Sequence, residues 1–239
     1  MDYDFSVFLH ADAWISFITL TFLEIVLGID NIIFISIVTS RLPQHQQKMA
    51  RNLGLTLALV FRIILLLAIS WIIGLTAPLF AFAGHEISGR DIILIAGGFF
   101  LIAKSTIEIH KKVTFSEEEQ AISASASFIG IIIQIILLDM VFSFDSILTA
   151  VGLTQHVIVM IFAVIISIIV MMLFAGSISK IIHKYPTLQI LALAFLIMIG
   201  LTLILEGFEV HVNKAFVYVA VLFSLSVELL NLRFRAKVR

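Results

Sequence analysis

Long apolar runs, broken by short charged or turn-forming stretches, make up most of this 239-residue chain. Each run is roughly twenty residues long, the length at which an α-helix crosses a hydrocarbon layer of about 30 Å. Because lipid offers no hydrogen-bond partner to an open backbone, we expect every run to be helical. The pattern predicts membrane-spanning helices near residues 14–39, 53–74, 91–110, 125–150, 157–176, 188–206 and 215–232.

The composition agrees with a chain that lies in a bilayer. Hydrophobic residues make up 61% of the sequence and charged residues 13%, whereas soluble domains carry about 25% charged residues. With a formal net charge of −1, the chain gives no indication of a nucleic-acid partner, and the absence of cysteine excludes disulfides and thiolate metal sites. We therefore predict an all-α, polytopic protein with a single transmembrane domain over residues 1–239, surrounded by the lipid bilayer.

The lysine and arginine residues between the predicted helices are unevenly distributed. One set of loops, together with the C-terminal tail, holds Arg41, Lys48, Arg51, Lys111, Lys112, Lys180, Lys184, Arg233, Arg235, Lys237 and Arg239. The opposite set holds Arg90 and Lys214. Since cytoplasmic loops are enriched in basic residues, the N-terminus is predicted to lie outside the cell and the C-terminus in the cytoplasm.

Two of the predicted helices share an acidic motif. Span one contains EIVLGIDNI, which begins at Glu24, and span four contains DMVFSFDSI, which begins at Asp139. The two spans cross the membrane in opposite directions, so we predict two inverted three-helix repeats, about residues 14–110 and 125–206, plus a seventh helix near 215–232. Inverted repeats are common in secondary transporters, whose sites lie near the bilayer midplane between the repeats.

The repeated motif predicts a midplane cage of oxygen ligands. Its members are Glu24, Asp30, Asp139, Asp145 and the neutral neighbours Asn31 and Ser146. An ionised residue at the bilayer centre costs about 2.5–3.5 kcal/mol, so the four acids need compensation. Arg62 in span two and Lys104 in span three are candidates for neutralising two of them. The remaining deficit of about two charges suits a divalent cation or exchangeable protons; the alternative is that the acids are structural hydrogen-bonding groups between helices.

Gly28 and Ser143 occupy equivalent places between the acids of the two motifs. A small residue there allows a kink, an unwound turn or a close approach between helices. The acids of each motif lie six residues apart, so on a regular helix their carboxylates would point about 120° away from each other. A two-fold relation between the repeats would put Glu24 at the level of Asp145.

The ligand types at membrane depth restrict the chemistry. All seven histidines are predicted to lie in loops or at span ends, so the midplane offers oxygen ligands, which suit magnesium, calcium or manganese. No serine–histidine, cysteine–histidine or HExxH arrangement is present at that depth, and we do not expect an enzyme. Glu108, Glu206 and Glu228 lie near span ends, where we expect their carboxylates to reach headgroup water.

At FLEIVLGIDNIIF and LLDMVFSFDSILTAVGL the chain resembles the TerC family of bacterial membrane proteins. AGGFFLIAKSTIEIH and LILEGFEVHVNKAFVYVAVLFSLSVELLN extend the resemblance over nearly the whole chain, and it is closest to the short YgdQ-like branch. The resemblance implies a seven-helix protein related to the LysE exporter superfamily, with members linked to manganese efflux and to metal loading of secreted enzymes. The ion-site residues that it implies are Glu24, Asp30, Asn31, Asp139, Asp145 and Ser146. Lys104 also matches a family position, without an assigned role.

Together, the motif and the resemblance lead us to expect an exporter of divalent metal cations in the bacterial inner (plasma) membrane. Manganese(II) is the expected transported ion, and exchange with protons is the expected coupling. The alternative is a membrane adaptor that associates with the secretion machinery and delivers metal to exported proteins. Either function is compatible with a membrane-protein partner or a homo-oligomer.

Overall fold

The computed structural model describes residues 5–68, 73–82, 85–114, 127–210 and 212–238. Within the helices, the side chains of Asp30 and Asp145 lie outside this description, as do those of a few other residues.

Seven helices in the described part of the chain are long and apolar enough to cross a membrane. They are α1 (Ala11–Thr39), α2 (Gln44–Leu67), α3 (Gly89–Thr114), α4 (Phe128–Leu153), α5 (Val157–Lys184), α6 (Pro186–Gly207) and α7 (Lys214–Val238). A short 3₁₀ helix, Phe5–Leu9, precedes α1. The predicted all-α, polytopic class with seven spans is therefore confirmed.

Several helices have bounds that differ from the predicted ones. The largest differences lie at α2, which also ends at Leu67 rather than near 74, at α5, and at α7, which ends at Val238 rather than near 232. Helix α2 begins at Gln44, nine residues before its predicted start, because its polar first turns continue the helix beyond the apolar segment. Helix α5 runs on to Lys184, where Tyr185 adopts an extended conformation with φ −126° and ψ 94°. Tyr185 precedes Pro186, and a residue before proline is disfavoured in the α region. Hydropathy thus predicted which segments are helical but not where each helix begins and ends.

A two-stranded antiparallel sheet lies between α2 and α3, in a segment predicted to be a loop. Strand β1 is Pro78–Phe82 and strand β2 is His85–Ser88. Strand β2 leads directly into α3. There the Ser88 backbone N–H and hydroxyl both donate to the Asp91 carboxylate, at 2.9 and 2.5 Å, and the Asp91 N–H donates to the Ser88 hydroxyl at 3.3 Å. This reciprocal pairing is a capping box, which satisfies backbone donors at the helix start.

The helices pack in pairs that a two-fold relation between the predicted repeats would require. Helix α1 packs against α5, α2 packs against α4, and α3 packs against α6. A two-fold relation between the repeats would exchange α1 with α4, α2 with α5 and α3 with α6. This exchange converts the α1–α5 contact into the α2–α4 contact and leaves the α3–α6 contact unchanged. The packing therefore agrees with the inverted-repeat arrangement, while the repeat boundaries stay a prediction.

The crossing of α3 and α6 brings two backbones into direct contact. A Cβ added at Gly98 would lie 2.4 Å from the Gly200 carbonyl oxygen, and one added at Gly200 would lie 2.8 Å from the Gly98 carbonyl oxygen. One turn further along, Ile204 approaches Gly98 and Ile102 approaches Gly200. Small residues allow such an approach between membrane helices, where van der Waals packing replaces the hydrophobic effect as the main attraction.

Helix α7 lies at the edge of this arrangement and packs mainly against α6. Most of its apolar side chains are exposed, among them Phe216, Leu222 and Phe223. In a bilayer, these side chains would face lipid.

Replacing Gly98 by alanine should force α3 away from α6, because the new methyl group would overlap the Gly200 carbonyl. Overpacking of this kind costs about 1–3 kcal/mol. We expect the free energy of unfolding to fall by that amount in detergent-solubilised protein, measured by chemical or thermal denaturation.

Gly130→Ala on α4 is the matched control. Its added Cβ would meet its nearest neighbour, Ser127 Cβ, at 3.7 Å, which is an ordinary van der Waals contact. The explanation is wrong if both variants lose the same stability, or if Gly98→Ala loses none.

Candidate functional site

Arg62, on α2, lies in the interior of the helix assembly with 3% of its surface exposed. Its Nη1 contacts Glu24 Oε2 on α1. Its Nη2 lies 2.7 Å from Asp139 Oδ1 on α4, and its Nε lies 3.2 Å from both carboxylate oxygens of Asp139. One guanidinium therefore joins three helices through two buried carboxylates.

Two further side chains complete the surroundings of Asp139. Asn31 on α1 donates from Nδ2 to Oδ1 at 3.4 Å, and Ser143 on α4 donates from Oγ to Oδ2 at 3.0 Å. With the two nitrogens of Arg62, the carboxylate accepts from four donor atoms. A carboxylate offers about four lone-pair sites, so Asp139 is saturated with hydrogen bonds.

Helical periodicity explains why these residues meet. Asn31 follows Glu24 by seven residues, which is about two turns, so both side chains lie on the same face of α1. Ser143 follows Asp139 by four residues and lies above it on α4. Between the two polar residues of α1, Gly28 contacts α5: a Cβ at Gly28 would lie 2.3 Å from Met171 Sδ.

Both motif helices are continuous, although the small residues were predicted to allow a bend. Helix α1 runs through Gly28, and α4 runs through Ser143. Of the alternatives that the sequence left open, Gly28 therefore provides a close helix approach. Ser143 provides a hydrogen bond to Asp139, a role that its four-residue spacing from that acid could have predicted.

The buried side-chain oxygen of Asn31, Oδ1, accepts no hydrogen bond from the residues that the structure describes. The residue is 3% exposed. Because a carboxylate only accepts, the Asn31 amide must present Nδ2 to Asp139, and this fixes the orientation of Oδ1. A neutral oxygen next to a buried carboxylate is a ligand type that hard divalent cations prefer.

The remaining predicted ion ligands lie on the same two helices. Ser146 is buried and donates from Oγ to the Ser143 carbonyl oxygen at 3.3 Å. The side chains of Asp30 and Asp145 lie outside the described residues. Across the ranges that are described, no group of three or more histidine, aspartate or glutamate residues could hold a metal ion. The four-carboxylate cage thus stays a prediction.

Arg62 contacts two of the predicted acids, and this determines how much of their negative charge it neutralises. Glu24 and Asp139 are equivalent residues of the two motifs, and the same guanidinium reaches both. With both acids ionised, this cluster of Glu24, Asp139 and Arg62 carries a formal charge of −1. Arg62 thus occupies the charge-compensating position expected from the sequence, but it does so by spanning two acids rather than one.

Lys104, the second candidate for compensation, lies in a different ion-pair cluster. Its Nζ is 3.7 Å from Glu108 Oε1, and Arg41 also contacts Glu108. The Glu108 side chain is only 10% exposed and is paired with both cations, so the protein itself covers most of this carboxylate. Burial lowers the pKa of the Arg41 guanidinium, which nevertheless keeps its charge at neutral pH.

Of the other two acids near span ends, Glu206 is also largely buried, at 9% exposure. This burial does not agree with the headgroup contact expected for it. Glu228 is half-buried on α7.

Arg62→Ala should destabilise the fold strongly, because it would leave Glu24 and Asp139 buried without their cation. Removing one partner of a buried ion pair costs about 3–5 kcal/mol. We expect the free energy of unfolding in detergent to fall by that amount.

Adding Asp139→Asn to Arg62→Ala should recover part of the loss, since one uncompensated charge is then removed. The variants can be compared by the same denaturation measurement. Wild-type stability in Arg62→Ala, or no recovery in the double variant, would contradict the assigned ion pairs.

Comparison with known proteins gives consistent similarities over almost the full chain. A family model described as "Integral membrane protein TerC family" matches residues 9–239. A UPF0053 protein of Haemophilus influenzae is 50% identical over 225 residues, which cover 94% of this chain and 95% of the relative. The UPF0053 inner membrane protein YgdQ of Escherichia coli K12 is 51% identical over 221 residues, covering 92% and 93% of the two chains.

A longer relative matches over the same region. The UPF0053 inner membrane protein YoaE of Escherichia coli K12 is 44% identical over 219 residues, which cover 91% of this chain but 42% of YoaE. No solved structure matches the chain.

Proposed function

We propose that this chain, which belongs to the TerC family of integral membrane proteins, carries a divalent metal cation across the bacterial inner membrane. Its relative YgdQ is named an inner membrane protein, and the seven apolar helices suit a multi-pass protein of that membrane. The proposed ligands at membrane depth are oxygens, which suit magnesium, calcium or manganese. Among these, manganese(II) is the proposed ion because the family resemblance favours it.

The observation that carries this proposal is the buried Oδ1 of Asn31, which lacks a donor among the described residues. It belongs to an amide that already contacts the Asp139 carboxylate. A buried acceptor without a donor costs about 1–3 kcal/mol, and a bound cation would remove that cost. The proposed ligands are Glu24, Asp30, Asn31, Asp139, Asp145 and Ser146.

The proposed direction is export, with the N-terminus outside and the C-terminus in the cytoplasm. The distribution of lysine and arginine supports the orientation, and the family resemblance supports the direction. Exchange with protons is the proposed coupling, because a carboxylate binds either a proton or a metal ion. Protons that enter from outside would then release the metal there.

Uptake of Mn²⁺ into inverted membrane vesicles tests the proposal, because uptake in that orientation corresponds to export from the cell. We expect wild-type vesicles to accumulate Mn²⁺ and to lose accumulation when nigericin collapses the pH gradient. Asp30→Asn combined with Asp145→Asn should reduce the initial rate at least tenfold, because both ionised ligands are lost.

The matched control combines Asp12→Asn with Glu209→Gln, which remove two acids that are exposed at the ends of α1 and α6. It should transport at the wild-type rate. Undiminished transport by the variant of Asp30 and Asp145 would exclude those acids as ligands. Vesicles that show no flux, together with a stoichiometric partner that co-purifies, would support the adaptor function instead.

A further inference from the structure

The acids that would bind a metal ion are already occupied by a cation of the protein itself. The Asp139 carboxylate accepts hydrogen bonds from four donor atoms, two of them nitrogens of Arg62. Glu24 receives the remaining arm of the same guanidinium. A metal ion binds a carboxylate through the same lone pairs that accept hydrogen bonds. Arg62 and a metal ion therefore cannot both bind the carboxylates of Glu24 and Asp139 through these lone pairs at the same time.

Arg62 cannot leave its place by losing its charge. An arginine side chain stays protonated in proteins, and this one is 3% exposed with its planar fork directed at two carboxylates on different helices. Such a fork matches carboxylate geometry and forms strong, charge-assisted hydrogen bonds. Only a competitor with greater attraction for the acids would displace it.

The charge of a cation determines whether it can displace Arg62 from the two acids. At equal distance, a divalent ion is attracted to a carboxylate twice as strongly as a monovalent ion or a guanidinium. A sodium or potassium ion would gain nothing in charge over Arg62 and would also have to break its hydrogen bonds. A divalent ion carries one more positive charge than the guanidinium, so each acid attracts it more strongly.

We propose that Arg62 is an internal competitor, which holds Glu24 and Asp139 until a divalent cation displaces it and which thereby excludes monovalent cations from the site. The proposal rests on the proposed transport function and adds a selectivity residue to it. In the described conformation, Arg62 is paired with both acids.

Arg62→Lys separates this role from a purely structural one. Lysine keeps the charge but lacks the fork that reaches both acids, so it is a weaker competitor. Loss of about one charge-assisted hydrogen bond corresponds to roughly a tenfold change in an equilibrium constant. We expect the Kd of the purified full-length protein for Mn²⁺, measured by isothermal titration calorimetry, to fall about tenfold.

If Arg62 only holds the helices together, lysine would loosen the ligands, and the Kd would rise or stay unchanged. Either result would overturn the proposal. Arg51→Lys is the matched control: Arg51 lies on the same helix, beside Gly176 of α5. That variant should leave the Kd unchanged, and an equal tightening in both variants would also overturn the proposal.

A second measurement uses the wild-type protein and does not depend on how the variant folds. Infrared difference spectra on adding MnCl₂ to protein labelled with guanidino-¹⁵N arginine should contain label-sensitive bands, because Arg62 loses its carboxylate partners. The same addition of NaCl should give none. Mn²⁺ binding without label-sensitive bands, or an equal response to sodium, would contradict displacement.

These outcomes differ from a failure of the proposed function. If divalent transport itself is wrong, wild-type protein would neither bind Mn²⁺ in the calorimeter nor accumulate it in vesicles. If only the role of Arg62 is wrong, the wild type would bind and transport Mn²⁺, while the arginine bands and the tighter Kd would be missing.

Discussion

A buried positive charge needs negatively charged partners inside the membrane, and in this protein the resulting ion pairs connect helices. Arg62 on α2 reaches Glu24 on α1 and Asp139 on α4, so three of the seven helices meet at one guanidinium. Removing any one partner would leave a charge that lipid cannot solvate. The acids that are proposed to bind cargo are therefore also the acids that join these helices, so the proposed transport would be coupled to the helix contacts.

The helix packing around this cluster agrees with a two-fold relation, whereas the cluster itself does not. Helices α3 and α6 cross at Gly98 and Gly200, where each backbone blocks a side chain on the other. Glu24 and Asp139 are equivalent in the two motifs, but a single arginine serves both. This one arginine compensates a single negative charge, so the cluster of Glu24, Asp139 and Arg62 keeps a formal charge of −1 when both acids are ionised.

The sequence predicted features that depend on a local pattern, and it missed features that depend on tertiary contact. Apolar runs predicted all seven spans because lipid imposes a minimum length, but they placed the start of α2 nine residues late because polar turns can remain helical. Hydropathy carries no signal for the strands Pro78–Phe82 and His85–Ser88, which pair with each other outside the apolar runs. The close approach of Glu24 and Asp139, which share one arginine, could be predicted from the repeated motif. The hydrogen bonds of Asp139 with Arg62, Asn31 and Ser143 could not be predicted in full, because those with Arg62 and Asn31 depend on how the helices are positioned along one another.

Anomalous diffraction from crystals soaked in manganese would test the central claim most directly. The account predicts one strong manganese peak between α1 and α4, in contact with Asp139 and with Asn31 Oδ1, and a guanidinium of Arg62 that has withdrawn from at least one of its two carboxylates. A manganese peak that leaves both ion pairs of Arg62 intact would contradict displacement. A peak confined to the loops, with none between α1 and α4, would contradict the site itself.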